Sequence, residues 1–257
     1  MAFIQHNGIR YYQFDILQTR HALFTRQGGV SPNPWGSLNV GGTVGDDLER
    51  VRENRMLSFQ ALGCAPESIF DVWQVHSADV VCARAPRSVD ESYRQADIIL
   101  TDQPNVTLFM RFADCVPILL HDPCKGVIGL AHAGWMGTLR DVASTTVEAM
   151  KKKYGSNPAD ILAGIGPSIG PDHYEIGAEV ILQVMQKYGD ESELFLKSHH
   201  GKIHFNLWKA NRVSLERVGV GQIETADICT ACHTEDWFSH RAEKGRTGRF
   251  GALISLQ

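Results

Sequence analysis

VTLFMRFADCVPILLHDPCKGVIGLAHAGW, residues 106–135, decides how this chain folds. Three apolar runs follow one another within it: Val106 to Phe112, Val116 to Leu120 and Val127 to Ala131. Each is five to seven residues long, rich in β-branched or aromatic side chains, and bounded by Asp, Pro, Asn or Gly, which is the signature of strands. Outward from this block, further strand-like segments are Ile9 to Phe14, Ala22 to Arg26, Ile69 to Val81, Ile161 to Ile165, Ile223 to Ile228 and Phe250 to Leu256.

Helical patterns interrupt these strands. Asp46 can cap a helix in which Leu48, Val51, Phe59 and Leu62 share one face, with Glu49 completing a capping box. Trp135, Leu139, Val142, Val147 and Met150 mark a second helix ending near Gly155, and Val180, Ile181, Val184, Met185 and Tyr188 a third ending at Gly189. All three stripes read as core packing. Strands outnumber helices and do not alternate with them, which predicts an α+β fold with mixed sheets rather than a doubly wound parallel sheet. The turn-rich stretch Gln27 to Gly45 reads as a long loop, and without repeats or a Ser/Pro-rich linker the chain is expected to form one domain over residues 1–257.

With 257 residues, 43% hydrophobic and 21% charged, the composition is that of a globular protein, not a disordered, collagenous or membrane one. A chain of this length buries roughly 70–75% of its unfolded surface, so its core needs no disulfide staples. The formal net charge is −4, and the one cationic run, Lys151 to Lys153, falls at a helix end where it suits the macrodipole. No nucleic-acid partner is expected. The first residues lack a secretory pattern and no apolar run approaches a membrane span of about 18 residues, so a cytoplasmic location is expected. The six cysteines are then thiols, ligands or nucleophiles rather than disulfide partners.

Three segments set a soft or borderline metal ligand beside a strand: Trp73-Gln-Val-His76, Ala113-Asp-Cys115 and Ala131-His132-Ala-Gly-Trp135. Two imidazoles and one thiolate suit zinc, and three protein ligands leave the fourth position for water or substrate, as in catalytic sites. The ligands lie 39 and 17 residues apart, so the fold must bring them together. Spacing alone equally allows hydrogen-bonded histidines at strand ends and a small buried cysteine. His132 leads directly into a helix, where backbone N–H groups can hold an anion. Arg26, at the mouth of the long loop, could grip a phosphate or carboxylate. The turn Gly164 to Gly170 lacks the pattern of a P-loop or a dinucleotide fingerprint and reads as a tight structural turn. Cys229 and Cys232 form a C-x-x-C before His233, but neither a thioredoxin-like unit nor a second ligand pair is evident, so they read as unlinked thiols. His199, His200 and His204 read as a polar turn.

Taken together, Thr25-Arg-Gln-Gly-Gly-Val-Ser31, Ser37-Leu-Asn39, Gln74-Val-His76-Ser77, Ala113-Asp-Cys115, His132-Ala-Gly-Trp135, Gly166-Pro-Ser-Ile-Gly170, Tyr174-Glu-Ile-Gly177 and Thr247-Gly-Arg249 resemble one family across nearly the whole chain. It is the laccase-domain family, also called multicopper polyphenol oxidase or peptidoglycan editing factor, whose members are described as purine nucleoside phosphorylases. The resemblance implies mixed sheets sandwiched between helices and a zinc on the residues matching His76, Cys115 and His132. It also implies phosphorolysis of adenosine, inosine, guanosine and methylthioadenosine, and deamination of adenosine. The family usually carries Arg after the tryptophan; here Met136 follows Trp135.

On that reading, zinc acidifies a water that attacks C6 of adenine, with Asp114 or Glu175 as proton shuttle. In phosphorolysis Arg26 would hold the phosphate, and Asn39 and Gln74 would bond ribose or base. Two alternatives share the same residues. One is a Cys115 nucleophile activated by His132, a hydrolase of amides suited to editing peptidoglycan precursors. The other is a copper polyphenol oxidase, since copper could replace zinc in a His₂Cys set, although multicopper clusters need many paired histidines and the chain has no His-x-His.

Overall fold

The antiparallel pair β8 (Val116–Asp122) and β9 (Val127–Ala133) occupies the middle of the molecule. Side chains alternate along both strands: Leu119, Ile128 and Leu130 enter one core, while Val116, Ile118, Leu120, Val127 and Ala131 enter another. The pair is therefore apolar on both faces, and it is covered on both. The computed structural model describes residues 2–256.

The remaining strands are β1 (Ala2–His6), β2 (Ile9–Gln13), β3 (Arg20–Phe24), β4 (Ile69–Asp71), β5 (Val80–Cys82), β6 (Ile98–Thr101) and β7 (Thr107–Phe112). After β8 and β9 come β10 (Leu162–Ile165), β11 (Leu196–His199), β12 (Lys202–Phe205), β13 (Gln222–Thr225) and β14 (Phe250–Ser255). One six-stranded sheet runs β1-β2-β3-β14-β7-β4, a second runs β13-β10-β8-β9-β6-β5, and β11-β12 form a separate hairpin. Both large sheets are mixed: β4·β7, β5·β6 and β10·β13 are parallel and the other pairs antiparallel.

The two sheets face each other across a core that includes Tyr12, Phe14, Leu108, Met110, Phe112 and Leu130. Helix α1 (Leu48–Ala61) covers the outer face of the first sheet, where Phe59 meets Phe24, Phe109 and Leu253. Helices α3 (Val142–Tyr154), α4 (Ala178–Tyr188) and α5 (Leu207–Arg217) cover the second through Val147, Met150, Val184 and Leu215. The result is the expected α+β arrangement of mixed sheets between helices.

Several expectations need correction. Asp47, not Asp46, caps α1, accepting from the N–H of Glu49 and Arg50 at 3.0 and 3.1 Å. Asp46 instead accepts from Ser31 Oγ and Asn39 Nδ2 at 2.6 and 2.8 Å, which ties down the long loop. The helix expected over Trp135 to Met150 is two: α2 (Trp135–Leu139) ends before Asp141, whose φ of 58° breaks the path ahead of α3. Ile69 to Val81 is not one strand but β4 and β5, with His76 in the loop between them. Leu48 and Met185 are each 52% exposed rather than core. The C-caps at Gly155 and Gly189 and the lysines in the last turn of α3 are as expected. Among the described residues no helix is long and apolar enough to cross a membrane.

Candidate metal centre and its cavity

His76, Cys115 and His132 meet although three separate segments carry them, and one ligand atom from each lies within 4.8 Å of the others. Cys115 occupies the turn from β7 to β8, His132 lies near the end of β9, and His76 stands in the loop after β4. Cys115 Sγ is 3.9 Å from His76 Nε2, and the two imidazole centroids are 5.0 Å apart. Donors at this spacing, two nitrogens and one sulfur, fit a tetrahedral zinc.

One buried carboxylate aligns two of these side chains. Asp97 Oδ1 lies 2.7 Å from His132 Nδ1, which leaves Nε2 of that ring free to bind a metal. Asp97 Oδ2 accepts from the N–H of Val75 and Ser77, the residues on either side of His76, at 3.1 and 2.6 Å. His76 itself has φ 59°, a left-handed conformation uncommon for a side chain of its size, and the Asp97 bonds hold it there. Gly134 completes the cradle: a Cβ at that position would come 2.9 Å from Cys115 Sγ and 3.2 Å from the His76 ring.

The electrostatics of the cluster favour charge on both partners. Burial would raise the Cys115 thiol, but His132 and then His76 outweigh it and pull it down to about 6. Burial opposes protonation of His132, yet Cys115 and Asp97 push it up to about 9. Asp97 is favoured as the anion because its hydrogen bonds to His132, Ser77 and Val75 overcome its burial.

The cluster lies at a cavity of about 690 Å³. Trp73, Tyr93, Trp135 and Tyr174 supply aromatic wall, and Arg55 and Arg249 bring positive charge, whereas Arg52 is paired with Glu49. Arg249 donates to the carbonyls of Thr247 and Gly248 at 3.3 and 2.8 Å, and Arg55 to that of Val40 at 2.9 Å. These neutral acceptors leave the guanidinium charge available to a ligand. Arg111, in contrast, is engaged by buried Asp71 at 3.1 Å.

Asp114 lines the cavity beside Cys115 with φ 79°; its carboxylate accepts from Thr230 Oγ1 and the Arg241 N–H, each at 2.7 Å. Gln74 also lines it, but its amide pairs with the Arg111 backbone, Nε2 to O at 2.9 Å and N to Oε1 at 3.0 Å. Arg26 is not at the wall. Its guanidinium donates to the carbonyls of Gly36 and Thr234, both at 2.7 Å, and to Glu243 at 3.1 Å, and it rests on the Phe238 ring. Buried Asn39 braces the loop, accepting from the N–H of Gly41 and of Arg249 at 2.9 and 2.8 Å. Glu175 faces outward and pairs with Lys202 at 2.7 Å. The Gly164 to Gly170 turn spends its N–H groups on protein acceptors, among them Pro117 O, Ile228 O and Asp114 O, as a structural turn should.

Asp97, Arg52 and Arg55 fall in none of the sequence motifs, and Tyr174 and Arg249 stand only within family motifs that carry no role for them. Asp97 precedes the apolar run Ile98 to Leu100, and a lone carboxylate there carries no signal of its partner 35 residues on.

A family model for multi-copper polyphenol oxidoreductase laccase matches residues 20–257. The chain belongs to that family. It is 39% identical to a Deinococcus radiodurans protein named purine nucleoside phosphorylase, over 97% of this chain and 94% of that one. It is 36% identical to purine nucleoside phosphorylase YfiH of Escherichia coli, over 90% and 91%. The crystal structure of Bacillus licheniformis hypothetical protein YfiH superposes with a TM-score of 0.90 at 31% identity, covering 99% of both chains. The structure of YlmD from Geobacillus stearothermophilus gives 0.88 at 33% identity, covering 99% and 98%.

Proposed function

We propose that the protein is a zinc-dependent purine nucleoside enzyme, cleaving adenosine, inosine, guanosine and methylthioadenosine with phosphate and deaminating adenosine. The observation that carries this reading is the convergence of His76, Cys115 and His132 beside a cavity walled by aromatic rings and arginines. The names of its relatives point the same way.

The donor set fits zinc: two imidazoles, a thiolate favoured by its surroundings, and a glycine that keeps space beside the sulfur. When bound there, zinc supplies Lewis-acid polarisation and acidifies water. Every other contribution comes from the chain. Trp73, Tyr93 and Tyr174 offer flat faces for a purine. Arg249 and Arg55, rather than Arg26, gather the phosphate and stabilise the charge that develops as the glycosidic bond breaks. Asp114 keeps lone pairs beyond its two hydrogen bonds, which suits it to take and return a proton at the cavity wall. Gln74 and Asn39 act by holding Arg111 and Arg249 in place.

Incubation with adenosine, with and without phosphate, followed by separation of adenine, inosine and hypoxanthine, tests the proposal. Adenine that depends on phosphate, and inosine that does not, are the expected products. No purine product in either condition would overturn it.

A second reading rests on the Asp97–His132–Cys115 chain, since a thiolate beside a histidine oriented by a carboxylate is also the layout of a cysteine hydrolase. Metal analysis separates the two. Zinc retained on purification supports the metalloenzyme, and metal-free protein that is active and alkylated at Cys115 supports the hydrolase. The multicopper oxidase reading has less support: among the described residues only two groups of three or more His, Cys, Asp or Glu donors converge, and neither pairs with a further cluster of histidines.

A further inference from the structure

The second of those groups lies outside the proposed active site. His173, Cys229 and Cys232 bring Nδ1 and two sulfurs within 4.8 Å of one another. His173 Nδ1 is 3.8 Å from Cys229 Sγ and 3.5 Å from Cys232 Sγ. Bond lengths of about 2.3 Å to sulfur and 2.0 Å to nitrogen put the N···S edge of a zinc tetrahedron at about 3.5 Å. The three side chains therefore already have nearly the spacing of a ligated ion. The C-x-x-C pair takes its third donor from a residue 56 positions upstream, whereas adjacent His233 turns away to Glu235 at 3.1 Å.

The buried sulfur has a further feature that simple packing does not require. The Gly170 N–H donates to Cys229 Sγ at 3.1 Å, and a Cβ on Gly170 would come 2.9 Å from Cys229 Cβ. Only glycine lets the backbone come this close, and an N–H aimed at sulfur stabilises a thiolate. Both cysteines are free rather than joined to each other.

We propose that His173, Cys229 and Cys232 form a second site for a thiophilic divalent cation, zinc by preference, with its fourth position left to water because His173 and Cys232 are exposed. The ion crosslinks two turns that meet beside the cavity. Ser168 donates from its N–H to Ile228 O at 3.2 Å, and Thr230 donates from its N–H to Ser168 O at 3.0 Å. The Thr230 hydroxyl in turn holds Asp114, and Tyr174 follows His173 directly. Binding releases thiol protons to solvent as each Cys becomes a thiolate ligand; no electron transfer is involved.

Cobalt titration tests the site independently of the first one. In Cys115→Ser protein, kept reduced with a phosphine, the active-site cluster offers no thiolate. Cobalt should produce a thiolate-to-metal absorption band that saturates at one equivalent and is bleached by one equivalent of zinc. Adding Cys232→Ser or His173→Ala, both exposed positions, should weaken cobalt affinity at least tenfold while circular dichroism is unchanged. Absence of the band in the reduced Cys115→Ser protein, as a pair that only forms a disulfide would give, overturns the proposal. So does a band indifferent to both substitutions. Neither outcome depends on whether the first cluster holds zinc or turns over a nucleoside.

Discussion

Asp97 Oδ1 lies 2.7 Å from His132 Nδ1, while the other oxygen of the same carboxylate binds the backbone on both sides of His76. One acidic side chain thus orients one imidazole and fixes the loop that presents the other. It shapes the centre without being a ligand.

Asp97→Asn removes the anion but keeps the shape. Zinc affinity should fall about 10–100-fold, the usual cost of losing the partner that orients a metal-bound histidine. Competition with a chromogenic chelator measures this. Unchanged affinity would show that the His132 ring is held by packing alone.

Gly134→Ala places a methyl 2.9 Å from Cys115 Sγ. The sulfur or the β9–α2 turn must shift, which should cost roughly 1–3 kcal/mol of stability and lower the metal content. Urea unfolding and elemental analysis of the purified variant check the two effects separately.

Arg249→Gln should raise the KM for phosphate at least about tenfold, since charged hydrogen bonds are worth about 1.5–3 kcal/mol, with the fold intact. Arg26→Gln should act differently. Its loss frees the half-buried Gly36 and Thr234 carbonyls and Glu243, so the expected effect is a lower melting temperature with the phosphate KM little changed. Steady-state kinetics at varied phosphate distinguish the two variants.

His21 is buried, its Nε2 accepting from the Phe14 N–H at 2.9 Å and its Nδ1 bonding Thr19 O at 2.8 Å. Burial holds its pKa below the ordinary 6.5, so the unfolded chain binds this proton more readily than the folded one. The contribution of His21 to stability should be complete above pH 6.5 and decline below it, approaching about 1.4 kcal/mol per pH unit until the folded imidazole also protonates. Burial acts on His121 in the same direction. Chemical denaturation between pH 5 and 8 should show the slope, and His21→Gln should reduce it.

The β7–β9 block was legible because its apolar runs have the length of strands, carry β-branched and aromatic residues and are bounded by turn residues. The three converging side chains were legible as residue types, and the family motifs tied them together. Elements with short or mixed patterns were not. β6 is four residues with no polar alternation, and α5 shows its apolar face only through Leu207, Ala210 and Leu215 once Asn206 is seen to cap Lys209. The cap of α1 was misplaced by one residue because Asp46 and Asp47 are both competent, and tertiary bonds to Ser31 and Asn39 engage the first. Arg26 illustrates the limit most clearly. A forked cation near a glycine-rich loop suits an anion, but here backbone carbonyls and Glu243 from distant segments occupy the fork, and sequence spacing does not show them.

Adenine release from adenosine and phosphate, followed before and after chelation and again on adding zinc, tests the central claim most directly. Activity should vanish when the metal is stripped, return with zinc, and fail to return in Cys115→Ser. Undiminished turnover by wild-type protein holding less than a tenth of an equivalent of metal would contradict it.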